Sequence, residues 1–132
     1  MKKIIKLAPV AAIALAFTAL TGVSTSASAA STCTPSTLKT VTAKTLTIAT
    51  GTPAYTPWVI DDKPETGKGF EAAVAYAVAK KLGYTNAQVK WIRTSFDAAI
   101  APGPKKFDFN IQQYSITADR AKVVDFSSAY YK

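Results

Sequence analysis

From Thr45 to Thr50 the run TLTIAT alternates polar and apolar residues and is rich in β-branched side chains, which predicts a strand. Gly51, Pro53 and Pro57 then break the chain into a loop carrying Tyr55 and Trp58, and the hydrophilic stretch from Asp61 to Gly67 reads as a turn. From Phe70 to Leu82, apolar residues recur at helical spacing at Phe70, Val74, Ala77, Val78 and Leu82, so a helix is predicted there. Gly83 follows as its C-cap, with Lys80 and Lys81 favourably placed against the helix dipole. A second alternating strand covers Gln88 to Arg93. Thr94 or Ser95 can cap a short helix, Phe96 to Ile100, which Pro102-Gly103-Pro104 stops. Phe107 to Ile111 reads as a third strand, Thr117 as the cap of a helical turn from Ala118 to Lys122, and Val123 to Phe126 as a brief fourth strand. Strands alternating with helices predict an α/β fold with a parallel sheet and flanking helices.

The first thirty residues follow a different pattern. Lys2, Lys3 and Lys6 precede an uncharged apolar stretch from Leu7 to Leu20, and Ala27-Ser28-Ala29 is an A-x-A cleavage pattern. That stretch is 14 residues, shorter than the roughly 17–25 needed to span a bilayer. Residues 1–29 therefore read as a cleaved signal peptide, with Ala30 as the neighbouring alternative end, and the mature chain is expected outside the cytoplasm, in a periplasm or at the outer face of the cell membrane. Residues 30–44, rich in Thr and Ser, read as a flexible lead-in. Within it, Ala30-Ser31-Thr32 before Cys33 fits a lipidation site badly, so Cys33 reads as a thiol, free or paired between molecules.

Composition narrows the chemistry. The 132 residues contain no histidine and one cysteine, which excludes a zinc finger, a Ser-His-Asp triad and an internal disulfide. The net charge of +8 comes from 16 basic and 8 acidic residues. Three of the basic residues are Lys2, Lys3 and Lys6, which leaves 13 against 8 beyond Ala30. These 13 are scattered, with no run longer than Lys80-Lys81 or Lys105-Lys106, and they read as a solvated surface rather than a nucleic-acid face. An apolar content of 48% and a charged content of 18% indicate a folded chain of at most one ordinary domain. No glycine-rich phosphate fingerprint follows the first strand, which argues against a dinucleotide site. No cofactor or metal is expected, and nothing in the spacing demands catalytic residues, although Asp97, Asp108 and Asp125 flank the same elements and leave a general acid–base pair open.

In open α/β sheets, ligands collect beyond the carboxyl ends of the strands. Here those ends carry Gly51 to Tyr55, Thr94-Ser95-Phe96 and Gln112 to Arg120. Together they offer aromatic walls, hydroxyl and amide groups and one arginine, a set suited to a small zwitterion whose carboxylate Arg120 can grip bidentately. Spacing leaves a second reading open for Arg120, a surface ion pair with Asp119 or Asp125. Tyr55, Trp58 and Phe96 read equally as ordinary core or rim aromatics.

Six stretches in order resemble one known family. They are Thr50 to Trp58 (TGTPAYTPW), Gly69-Phe70-Glu71, Ala79 to Gly83 (AKKLG), Phe107-Asp108, Ser115 to Lys122 (SITADRAK), and Val124 to Ser127 (VDFS) with Tyr130-Tyr131. Residues 45–131 resemble the N-terminal part of the solute-binding proteins of family 3 that deliver polar amino acids to ABC importers. The resemblance implies a type II periplasmic-binding-protein-like fold, a two-lobed clamp that closes on an amino acid and presents it to a membrane permease. Carried over by position, Arg120 would hold the ligand α-carboxylate, helped by Ser115 and Thr117. Tyr55 and Phe96 would wall the side chain, Gln113 would line the pocket, and Trp58 would lie near its mouth. Residues 45–132 are then the N-terminal part of lobe 1, and lobe 2, with its acidic partner for the α-ammonium group, would lie beyond Lys132. A fragment or truncated reading frame is expected, and residues 30–132 alone are expected to bind amino acids weakly or not at all.

The chain also departs from the family pattern. Ala73 replaces a common Asp, and Pro102-Gly103-Pro104 interrupts a usually longer helix. Gln112 and Gln113 replace small residues, and Thr52 offers no acidic partner for a Lys or Arg ligand. Two alternatives on the same scaffold are an enzyme (a cyclohexadienyl- or arogenate-type dehydratase or a lytic-transglycosylase-like protein) and an amino-acid sensor domain.

Overall fold

The computed structural model describes residues 33–132, and the predicted signal peptide lies outside the described residues. Among the described residues three parallel strands form one sheet: β1 (Leu46–Thr50), β2 (Val89–Arg93) and β3 (Phe109–Asn110), in the order β2-β1-β3. Two helices connect them, α1 (Phe70–Lys81) and α2 (Phe96–Ile100). β1 pairs with β2 from Leu46↔Val89 to Thr50↔Arg93, and with β3 through Ile48↔Phe109 and Ala49↔Asn110. The Asp108 N–H donates to the Thr47 carbonyl (2.8 Å) and the Ile111 N–H to the Ala49 carbonyl (3.0 Å), so the contact with β1 runs past both ends of the short third strand.

The alternation in β1 reads as half-exposed, yet all five of its residues are buried. A central strand of a parallel sheet is covered on both faces, and its threonines go inside with the apolar residues. Ile48 is fully buried, a burial that contributes on the order of 2 kcal/mol. It forms a core with Leu46, Ala75, Ala79, Tyr84 and Ile111, with Leu38, Val74, Leu82 and Trp91 packed at its edge. The segment before β1 is tied to the same body. Leu38 reaches this core, and the Val41 N–H donates to the Asp108 carboxylate (2.7 Å), which also accepts from the Thr47 N–H (2.6 Å).

Helix α1 ends as its sequence predicts. Gly83 takes a positive φ of 82°, its N–H bonds the Lys80 carbonyl, and the Tyr84 N–H bonds the Ala79 carbonyl, a Schellman closure. Its buried stripe, however, is Glu71, Ala72, Ala75 and Ala79, while Phe70, Ala77 and Val78 are exposed. Its small residues Ala75 and Ala79 share the core with Leu46 and Ile48, and the larger Val74 and Leu82 lie at the margin. No side chain caps its first turn. The N–H groups of Phe70 and Glu71 donate instead to the carbonyls of Pro57 and Trp58, both at 3.0 Å. Gly69 makes this contact possible. Its φ is 104°, and a Cβ there would lie 2.4 Å from the Trp58 carbonyl oxygen.

Ser95 caps α2, accepting from the Ala98 N–H (3.2 Å), and the helix stops at Ile100 before Pro102-Gly103-Pro104. Thr117 accepts from the Arg120 N–H (3.3 Å) and opens a 3-10 turn, Arg120–Lys122. The predicted strand from Val123 to Phe126 is not formed. Its alternation is too short, and among the described residues no strand edge pairs with it.

Candidate functional site

Strand order 2-1-3 creates a topological switch. The chain leaves β1 through α1 to pair on one edge as β2, and returns through α2 to the other edge as β3. Loops diverge at such a point and leave a crevice beyond the carboxyl ends of the strands. A cavity of about 300 Å³ opens there, lined by residues 50–55, Ser95, Phe96, Gln112 and Gln113. All three strand ends contribute to it. Its surroundings are aromatic, hydroxyl, amide and backbone groups, and no charged side chain is among the lining residues. The Thr50 hydroxyl is buried beside it without a hydrogen-bond partner among the described residues.

One wall, Gly51 to Tyr55, is fixed by a guanidinium. Arg93, the last residue of β2, donates through Nη1 to the Gly51 carbonyl (2.6 Å) and through Nη2 to the Asp62 carbonyl. The same Nη2 pairs with the Asp62 carboxylate at 2.6 Å, and that carboxylate accepts from the Ala54 N–H (2.8 Å). The Ala54 hydrogen bond is the main influence holding the Asp62 carboxyl below its ordinary titration range; desolvation opposes it and Arg93 reinforces it.

The other wall, Gln112-Gln113, is fixed by a carboxylate with no exposed surface. Glu71 Oε1 accepts from the Gln113 N–H (2.7 Å), and Oε2 accepts from the Gln113 side-chain amide. The Tyr130 hydroxyl donates to Oε1 as well, at 2.5 Å. Burial, followed by the hydrogen bond to Glu71 and its charge, pushes the Tyr130 phenol well above its ordinary range. A carboxyl group this deep is tolerable because three donors reach it and each of its oxygens accepts at least one hydrogen bond. Reading the residues singles out Gln113 but gives Glu71 no role. The available signal was an acidic residue on the same stripe as Ala72, Ala75 and Ala79, the small-residue face of the helix.

Of the remaining predicted residues, Tyr55 and Phe96 line the cavity, Tyr55 with 63% of its surface exposed. Arg120 is not among the lining residues but contacts one of them, Phe96. Its guanidinium carbon sits 5.0 Å from the Phe96 ring centroid and 5.8 Å from that of Tyr114, a cation–π arrangement. Phe96 and Tyr114 stack with centroids 4.1 Å apart, and the Tyr114 hydroxyl donates to the Phe96 carbonyl (2.7 Å). Burial pushes the Tyr114 phenol up to about 12, Arg120 opposing it and Asp97 adding to it. The alternative ion pair of Arg120 with Asp119 or Asp125 is absent. Lys122 takes Asp119 at 2.7 Å, and Arg120 Nη1 donates to the Ser115 carbonyl (3.0 Å). Ser115 and Thr117 thus hold Arg120 through a carbonyl and a capping hydroxyl. Trp58 stands apart from the cavity lining and packs edge-on against Phe70 (5.9 Å) and Tyr131 (4.9 Å). Among the described residues, no cluster of three or more Cys, Asp or Glu side chains is arranged to hold a metal ion.

The family model described as bacterial extracellular solute-binding proteins, family 3, matches residues 46–132. The chain belongs to that family. Its role is accordingly the binding of a solute, the family consists mainly of binding proteins rather than enzymes, and its name points to an extracytoplasmic location. No curated protein and no solved structure gives a significant match.

Proposed function

We propose that this family 3 chain is the extracytoplasmic substrate-binding component of an ABC importer, taking up a polar amino acid or related small zwitterion and delivering it to a membrane permease. In this reading residues 1–29 direct secretion, residues 30–44 lead in, and residues 45–132 form the N-terminal part of lobe 1. A second lobe closes over the cavity and supplies the partner for the ligand's ammonium group. Arg120 holds the α-carboxylate with help from Ser115 and Thr117. Tyr55, Phe96 and Gln113 surround the side chain, and Trp58 lies near the mouth of the closed pocket.

The observation that carries the proposal is the state of Arg120. It makes no ion pair among the described residues, although Asp119 is adjacent, and its guanidinium rests on the ring of a cavity residue. Only one hydrogen bond from its five-donor fork, to the Ser115 carbonyl, is present there. The rest of the fork suits a bidentate carboxylate. The absence of acidic side chains from the cavity lining disfavours lysine and arginine as ligands.

The test is calorimetric titration of the full-length protein, as its host secretes it, with each of the twenty amino acids. At least one uncharged polar amino acid is expected to bind saturably without turnover, and Arg120→Ala to weaken it by about thirtyfold or more. Chemical conversion of the ligand, or unchanged affinity in Arg120→Ala, would overturn the reading.

A further inference from the structure

Among the described residues Glu71 is the only acidic or basic side chain with no exposed surface, and it is not part of the cavity lining. Both of its oxygens are directed to one residue that is. Oε1 takes the Gln113 backbone N–H and Oε2 takes the Gln113 side-chain amide. Gln113 has a φ of 49°, a left-handed conformation that a non-glycine residue keeps only where its surroundings enforce it. Two hydrogen bonds from a fixed, buried carboxylate supply that enforcement. The consequence reaches the other wall through Gln112. A Cβ on Gly51 would lie 3.0 Å from the Gln112 amide nitrogen, so the two walls approach each other there. Gly51 and Gln112 face each other across the cavity, and the grip of Glu71 on Gln113 holds the Gln112-Gln113 wall in place.

We propose that Glu71 is a positioning residue of the solute pocket, fixing the Gln112-Gln113 wall through Gln113 without touching the ligand. The proposal rests on reading the cavity as the binding site, and its test separates the two. In the full-length, unliganded protein labelled with nitrogen-15, the Gln113 amide of Glu71→Gln is expected to exchange hydrogen at least about tenfold faster than in the wild type. The Ile48 amide in the central strand should be unchanged, which distinguishes local release from global loosening. Unchanged Gln113 exchange in a folded Glu71→Gln would overturn the proposal.

A second arm measures affinity for whichever of the twenty amino acids binds the wild type most tightly. Glu71→Gln is expected to lose at least about tenfold, whereas Tyr130→Phe, which removes the third donor but leaves the Gln113 grip intact, should stay within about threefold. Equal losses in the two variants would reduce Glu71 to a structural carboxylate and overturn its positioning role. Should the wild type bind no amino acid, the importer reading fails while the exchange arm still decides whether Glu71 fixes Gln113. Should Glu71→Gln not fold, the wild type itself provides the test, because a scalar coupling across the hydrogen bond between the Gln113 nitrogen and the Glu71 carboxyl carbon is expected, and its absence would overturn the proposal.

Discussion

On one wall of the cavity Arg93 reaches back from the end of β2 to the Gly51 carbonyl and to Asp62, and both charged side chains keep a third to a half of their surface in water. On the other wall Glu71 makes an equally short set of bonds to Gln113 and Tyr130 with no exposed surface. Each clamp fixes a loop at a strand end, but their physics differs. An exposed pair in high dielectric gains little, and salt screens it. A buried carboxyl group is held by its donors, and losing either side leaves polar groups stranded where water cannot replace the partner. The first wall can therefore yield in small steps, whereas the second holds or fails as a unit.

The severest disruption of the buried clamp comes from a residue that does not belong to it. Glu71 is aimed by the first turn of α1, and that turn rests on the carbonyls of Pro57 and Trp58. Gly69→Ala places a methyl group 2.4 Å from the Trp58 oxygen at a φ of 104°, which combines overpacking with an unfavourable backbone conformation. The expected loss is about 3–5 kcal/mol, read as a fall in the urea midpoint with an unchanged slope. A midpoint within error of the wild type would mean that the helix start is not what aims Glu71.

The two clamps can then be set against each other directly. Glu71→Ala leaves the Gln113 N–H, its side-chain amide and the Tyr130 hydroxyl without their acceptor, and about 3 kcal/mol of stability should go. Arg93→Ala removes an exposed pair and two carbonyl contacts, and about 1 kcal/mol should go after solvent screening. Repeating both measurements at about 1 M salt should shrink the Arg93 effect and leave the Glu71 effect unchanged. Equal losses, or equal salt sensitivity, would erase the distinction between the walls.

Much of the framework was legible in the chain, and the reasons are local. β1 and β2 carry alternation over five residues each, α1 ends on a glycine that only a left-handed cap explains, and α2 lies between Ser95 and the Pro102-Gly103-Pro104 stop. Each of these signals sits within one element. Because the expected sheet was parallel, the strand ends could be named as the place for a cavity before its walls were known. The face of α1 was not legible, because close packing on a sheet selects the alanines, and hydrophobicity alone favours Phe70 and Val78. Glu71 was missed for the same reason. Its partners Gln113 and Tyr130 lie 42 and 59 residues away, and no local pattern records such a contact. The fourth strand was overread, since strand propensity at Val123 and Val124 does not supply a neighbouring edge to pair with.

The smallest expected effect concerns the exposed clamp alone. Asp62 accepts the Ala54 N–H and pairs with Arg93, so its charged form is favoured in the folded chain and its carboxyl titrates below the ordinary value of 3.8. A lowered carboxyl pKa contributes stability that is fully present above 3.8 and is lost as pH falls through the lower folded value. Protection of the Ala54 amide against hydrogen exchange, corrected for the intrinsic rate, should therefore hold constant from about pH 6 to about pH 4.5 and decline as pH falls from there through the lower folded value. In Asp62→Asn the decline should vanish, because no charge remains to be lost. A decline already complete at about pH 4.5 would show that Ala54 and Arg93 do not hold Asp62 in its charged form. The Gly51–Tyr55 wall would then depend on the Arg93 contact with the Gly51 carbonyl alone.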